Sequence, residues 1–154
     1  MARFRFRLEA SLRLAKQALE TTQREFAQEV LLWKTLVKAC EIQQEHFADA
    51  QEGQRDAGRH RLEELGIWQL FASEQLRRLH QCNAELRKQE LIMEKARHSL
   101  LEAHREVERF ERLKEKQAKA FQLAELTKEQ KILDETGQVI YWRQQILNTR
   151  GTEG

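Results

Sequence analysis

A chain of 154 residues has room for one compact domain or one long hairpin, not several domains. It contains no proline, where average usage predicts about eight, and it is 34% charged and 7% aromatic, a mix that disfavours all-β and α/β folds and suits long helices. Lys and Arg total 27 and Asp and Glu 25, a net charge of +2, and no apolar run exceeds the four residues of 30–33 and 139–142; a membrane-spanning helix, which needs about 20 apolar residues, is excluded.

The opening Met-Ala-Arg-Phe-Arg-Phe-Arg interleaves Arg with Phe and lacks the apolar stretch of a signal peptide, so a cytoplasmic protein is expected. Charges of opposite sign recur three or four residues apart, the spacing of local helix pairs worth about 0.2–0.5 kcal/mol each. The densest basic stretch, 97–119, also holds Glu102, Glu106, Glu108, Glu111 and Glu115. Such dilution argues against a nucleic-acid partner, which selects for positive charge gathered on one face. Cys40 and Cys82 lie far apart in sequence and inside helical patterns. They read as small apolar packing residues kept reduced in the cytosol, with a disulfide as the other reading.

In chain order, the first element is a helix over about 6–51. Leu12, Leu19, Phe26, Trp33, Cys40 and Phe47 recur every seven residues, and a mixed companion series runs Leu8, Ala15, Thr22, Glu29, Leu36, Gln43, Ala50. A seven-residue seam winds around a partner helix. Gly53 and Gly58 in a polar stretch mark a reversal over about 52–60. A second helix follows over about 61–135. Its seam is Leu65, Ala72, Leu79, Leu86, Met93, Leu100 and Val107. Leu62, Leu76 and Asn83 read as its companions, with Glu90, Arg97 and His104 also in companion positions. Trp68, Cys82, Ala96, Ala103 and Phe110 thicken the other side. Gly137 is the next expected stop, and 137–154 is expected as a short helix or a frayed tail.

These elements predict an all-α fold: a long antiparallel two-helix coiled-coil hairpin over 1–136. The first helix is about 68 Å long and the second about 110 Å, at 1.5 Å per residue. The last third of the second helix then projects alone or covers the amino-terminal end. The polar companions Glu29, Gln43, Glu90, Arg97 and His104 disfavour a long homotypic seam, so the chain is expected to be a monomer in isolation.

Catalytic patterns are weak. Gly53 and Gly58 have the spacing of a phosphate loop, but Arg59 and His60 stand where Lys and Ser or Thr should follow. No histidine has an acid three residues before it, as a di-iron bundle requires. Glu94, His98 and Glu102 share a helix face and could hold a metal, although local ion pairing explains them as well. His80 and Cys82 diverge on a helix, and a thin hairpin offers no enclosed cleft. Neither catalysis nor a cofactor is expected.

One stretch is more distinctive. The opening Phe4-Arg5-Phe6-Arg7-Leu8-Glu9, then Leu12-Arg13-Leu14, and the run from Glu106-Val107-Glu108-Arg109-Phe110-Glu111-Arg112-Leu113 through Lys114-Glu115-Lys116-Gln117 to Lys119 and Phe121 resemble the FliJ/YscO-like stalk family of type III export proteins. Glu129-Gln130-Lys131 and Leu133-Asp134-Glu135 are similar to that family's carboxyl end, and the order runs through nearly the whole chain.

The resemblance implies a non-enzymatic stalk of the flagellar export ATPase, peripheral to the inner membrane. Its paired helix ends would enter the hexameric ATPase ring. Its tip would reach the cytoplasmic domain of the export gate, and export chaperones would be further partners. On this sequence the ring end corresponds to Arg7, Arg13, Arg109, Phe110, Arg112, Leu113 and Lys116. The gate end corresponds to Trp68 and Phe71, where the family often has Tyr-x-x-Phe, with Phe47 across from them. Gln75 and Arg78 depart from the family pattern, which has apolar or small residues there. The 134–140 stretch is reminiscent of virulence-type stalks, so that role and a self-associating scaffold stand as alternatives.

Overall fold

The computed structural model describes residues 2–152. They form helix α1, Glu9–His60, a single 3-10 turn at Leu62–Glu64, and helix α2, Leu65–Gly151. The fold is all-α, two long helices packed against each other, with no strand among the described residues. No helix among them is long and apolar enough to cross a membrane. The chain divides into two units, Leu14–Val107 and, among the described residues, 2–13 with 108–152.

The unit Leu14–Val107 is a helical hairpin. On α1, Leu19, Phe26, Trp33, Cys40 and Phe47 are buried or half-buried, as are Ala15, Thr22, Glu29, Leu36, Gln43, Ala50 and Ala57. On α2 the covered residues are Leu65, Ala72, Leu79, Leu86, Met93, Leu100 and Val107, joined by Trp68, Gln75, Cys82, Gln89, Ala96 and Ala103. The companion series therefore differs from the expected one. Leu62 and Leu76 are exposed, Asn83 is half-buried, and Glu90, Arg97 and His104 face solvent. Two glutamines take seam positions because each finds a partner on α1. The Gln43 Nε2 amide donates to Gln75 Oε1 at 2.7 Å and to the Gln75 carbonyl at 3.2 Å. Likewise Gln89 Nε2 donates to Glu29 Oε2 at 2.5 Å and to the Glu29 carbonyl at 3.1 Å. A buried amide without such a partner would cost about 1–3 kcal/mol. The pairs run in opposite senses along the two helices, later on α1 with earlier on α2, which is the antiparallel order.

The reversal falls later than the glycines suggested. Gly53 and Gly58 remain inside α1, and no described residue has a positive φ. Gly53 serves close approach rather than chain bending, while Gly58 is exposed and a Cβ there would make only an ordinary contact with Leu65, at 3.8 Å. A Cβ at Gly53 would lie 2.6 and 2.7 Å from Cε3 and Cη2 of the Trp68 indole. Ala50 and Ala57, at the same face, are fully buried. The turn is made at Arg61, with φ −142° and ψ 63°. Its N–H donates to the Ala57 carbonyl at 2.9 Å, and its carbonyl accepts from the Glu64 N–H at 2.9 Å. Its guanidinium reaches Asp56 at 2.7 Å and Glu64 at 3.3 Å, so one side chain ties the end of α1 to the 3-10 turn.

In the other unit, residues 2–8 are not helical. Arg3, Arg5 and Arg7 are exposed, while Phe6 is buried and Phe4 half-buried. This is the two-residue alternation of an extended segment. The Phe4 ring sits 5.6 Å from that of Phe121. Helix α1 begins at Glu9, three residues after the expected start, where the Glu9 N–H donates to the Phe6 carbonyl at 3.2 Å. Leu12 is the best-covered large side chain, 2% exposed, and the Glu9 carboxylate meets Lys114 Nζ at 2.9 Å. Helix α2 does not stop at Gly137. One helical glycine costs only about 1 kcal/mol relative to alanine, and the left-handed residue that commonly ends a helix is missing there. Local side-chain bonds stand on both sides of it: the Thr136 hydroxyl donates to the Ile132 carbonyl at 2.7 Å before it, and Gln145 Nε2 donates to the Tyr141 hydroxyl at 2.9 Å after it. Every described residue from Leu126 onward is exposed.

Candidate partner-binding surfaces

The terminal unit presents a cationic surface. Within 2–13, Arg3, Arg5, Arg7 and Arg13 are all exposed, and the one acid of that stretch, Glu9, is engaged by Lys114. On α2, Arg109, Arg112 and Lys116 are exposed, Leu113 is at the rim, and Phe110 is half-buried. Local acids temper part of this charge. Glu108 lies 3.7 Å from Arg112 and Glu115 lies 3.2 Å from Lys119. Both pairs are solvent-exposed and weak, about 0–1 kcal/mol each, so they can exchange for a partner's carboxylates. Beside the Phe4–Phe121 contact lies an open groove of about 340 Å³, lined by Ala2, Phe121, Leu126, Glu125 and Glu129 among others.

At the hairpin tip, Trp68 is half-buried on Gly53 and meets Phe71 edge-to-face, with centroids 5.9 Å apart at 80°. Phe71 is 44% exposed. The indole thus closes the seam, and its neighbour offers the free ring. Phe47 is half-buried, in a groove with Gln51, Gln69, Ala72 and Leu76. Phe71 lines a different groove, with His46, Asp49, Gln75 and Arg78. The three aromatics therefore do not share one groove, because the antiparallel pairing sets Phe47 across from Ala72 and Leu76.

Two residues that the sequence reading passed over extend the tip surface. Ile67 and Leu70 are more exposed than Phe71 and lie three and four residues apart with it on one face of α2. Their signal was their place off both seam series: an apolar residue outside the register has no neighbour in the hairpin to cover it. Gln75 and Arg78 are explained locally, the first by Gln43 and the second by Glu74. Hydrogen bonds from Arg77 and Arg78, at 2.7 and 3.1 Å, bring the Glu74 carboxyl down to about 2.

Further along the seam, burial pushes the Cys40 thiol up to about 11, helped by its hydrogen bond with Cys82 across the helix pair. The two cysteines are free thiols brought together from distant parts of the sequence. Of the metal candidates, His98 Nε2 pairs with Glu102 at 3.1 Å, whereas Glu94 lies against Arg97 at 3.5 Å. Among the described residues no three His, Cys, Asp or Glu side chains are grouped to hold a metal.

No curated protein and no solved structure matches the chain. A family model does, that of the flagellar FliJ protein, over residues 4–145. The match takes in the Phe4–Phe6 segment, both seams, the tip, and most of the exposed end of α2. This chain belongs to the flagellar FliJ family.

Proposed function

We propose that this protein is a non-enzymatic stalk of the flagellar type III export ATPase, joining the hexameric ATPase ring to the cytoplasmic domain of the export gate. Export chaperones are further partners in this reading, and the protein sits at the inner membrane only through the export apparatus. The observation that carries it is the pairing of the chain's opening segment with α2 through Phe4 and Phe121, which gathers Arg3, Arg5, Arg7 and Arg13 with Arg109, Arg112 and Lys116 in one unit. A cationic surface of this kind suits acidic loops of a ring interior and speeds encounter with them. Ring contact falls to Arg7, Arg13, Arg109, Arg112 and Lys116, with Phe110 and Leu113 as the apolar part. Gate contact falls to Phe71 together with Ile67 and Leu70; Trp68 holds Phe71 in place, and Phe47 serves the neighbouring groove. The family match supports the flagellar rather than the virulence-type version.

The test is binding and turnover of the matching export ATPase with and without this protein. Hexamer formation and turnover should rise. No binding and no change in assembly would remove the stalk reading. Leu70→Ala with Phe71→Ala should weaken gate binding and spare ATPase binding, since both side chains are exposed and the fold does not depend on them.

A further inference from the structure

The last stretch of α2 keeps the seven-residue rhythm although every described residue from Leu126 onward is exposed. Leu126, Leu133, Ile140 and Leu147 recur at that interval, and Ile132, Val139 and Ile146 flank three of them one position earlier. All seven are more than half exposed, from 51% to 68%. A period of 3.5 fits a second helix better than a flat surface.

Glu129 and Arg143 lie within the same stripe, and the order of residues reads alike from both ends about the Thr136–Gly137 step. Leu133 answers Ile140, Leu126 answers Leu147, and Glu129 answers Arg143 to within one residue. Charge follows the same symmetry. Residues 125–138 hold Glu125, Glu129, Asp134 and Glu135 against Lys128 and Lys131, and residues 139–152 hold only Arg143 and Arg150. The two halves are thus oppositely charged. Among the described residues, neither Glu129 nor Arg143 takes an ion pair within the chain.

We infer that two copies of this chain associate through α2 residues 126–147, side by side and antiparallel, with the leucine and isoleucine stripe as the shared seam and Glu129 of each copy beside Arg143 of the other. A parallel pair would set Glu129 against Glu129 and Arg143 against Arg143, and like charges in a seam repel. Seven side chains at this exposure offer at most roughly 600–700 Å² per copy, near the lower end of specific interfaces, which average about 800 Å² per partner. Because the helix is already formed, association bears no nucleation cost. The pairing is weak and concentration-dependent, with a Kd of roughly micromolar to tens of micromolar. It lies outside the hairpin seam whose polar positions pointed to a monomer, and it does not rest on the stalk reading.

Sedimentation equilibrium of the full chain, from about 2 to 200 μM, tests it. The wild type should pass from monomer to dimer across that range. Leu133→Glu with Ile140→Glu should stay monomeric while circular dichroism reports unchanged helicity. Glu129→Arg alone and Arg143→Glu alone should each weaken dimerisation about tenfold, and the two variants mixed should recover it as a heterodimer. A wild type that remains monomeric throughout would overturn the inference and leave the stripe to a different protein. A dimer insensitive to these substitutions, or single variants that do not recover on mixing, would overturn it equally.

Discussion

Within α2, the stretch from Leu65 to Val107 and the stretch from Leu126 to Gly151 carry apolar residues at the same seven-residue interval, yet only the first is covered. Both are helical, so the helix itself does not depend on cover. What distinguishes the covered stretch is what it faces: Ala50, Gly53 and Ala57 allow a close approach, and Gln43 and Glu29 satisfy two glutamines that a solvated helix could have left to water. Stability is therefore concentrated in one part of the helix, and interaction potential in the other.

Substitution of matched leucines should separate the two stretches most sharply. Leu79→Ala should cost about 2–4 kcal/mol, because the buried side chain leaves a cavity in a thin core. Leu133→Ala should change stability by no more than about 0.5 kcal/mol. Urea unfolding followed by circular dichroism at low protein concentration checks both, and equal losses would erase the distinction.

The helical glycines give a smaller contrast with opposite signs. Gly53→Ala drives a methyl into the Trp68 indole and should cost about 1–3 kcal/mol. At Gly137 an added Cβ meets nothing, and Gly137→Ala should raise stability or helicity by about 0.5–1 kcal/mol. Thermal melts of the two variants, again at low concentration, decide it.

Alkaline pH should give the smallest effect, confined to the covered stretch. A thiol whose folded pKa is about 11 and whose ordinary value is 9.0 ionises first in the unfolded chain. Its contribution is therefore intact below pH 9.0 and is lost as pH rises toward about 11. Melting temperature should fall more steeply over that window in the wild type than in Cys40→Ala. Parallel slopes would mean that the thiol is not buried in solution.

Much of this was legible in the residues. The first series on each helix, from Leu12 to Phe47 and from Leu65 to Val107, needed only a periodicity of seven. The companion series on α2 was misread because Leu62 and Leu76 are apolar and Gln75 and Gln89 are not. Residue type pointed outward by one position, and only the cross-helix partners Gln43 and Glu29 make the glutamines admissible. Gly53 was misread for a similar reason. A glycine that admits a neighbouring ring and one that bends a chain look the same until the ring is known, and Trp68 is separated from Gly53 by the whole reversal. The cationic terminus was visible in the Arg and Phe alternation of 3–7. Ile67 and Leu70 carry no motif of their own; only their place off the register, exposed beside Phe71, marks them.

The elbow at Arg61 has a consequence for how the chain finds its form. It closes through Ala57, Asp56 and Glu64, all within a few positions of it, so the least entropy is lost by joining the two arms there first and adding later pairs outward in turn. Phe4 leaves the ribosome more than about a hundred residues before Phe121 does. During synthesis the Phe4 ring must wait uncovered until then, which leaves its segment open to a chaperone for all that time.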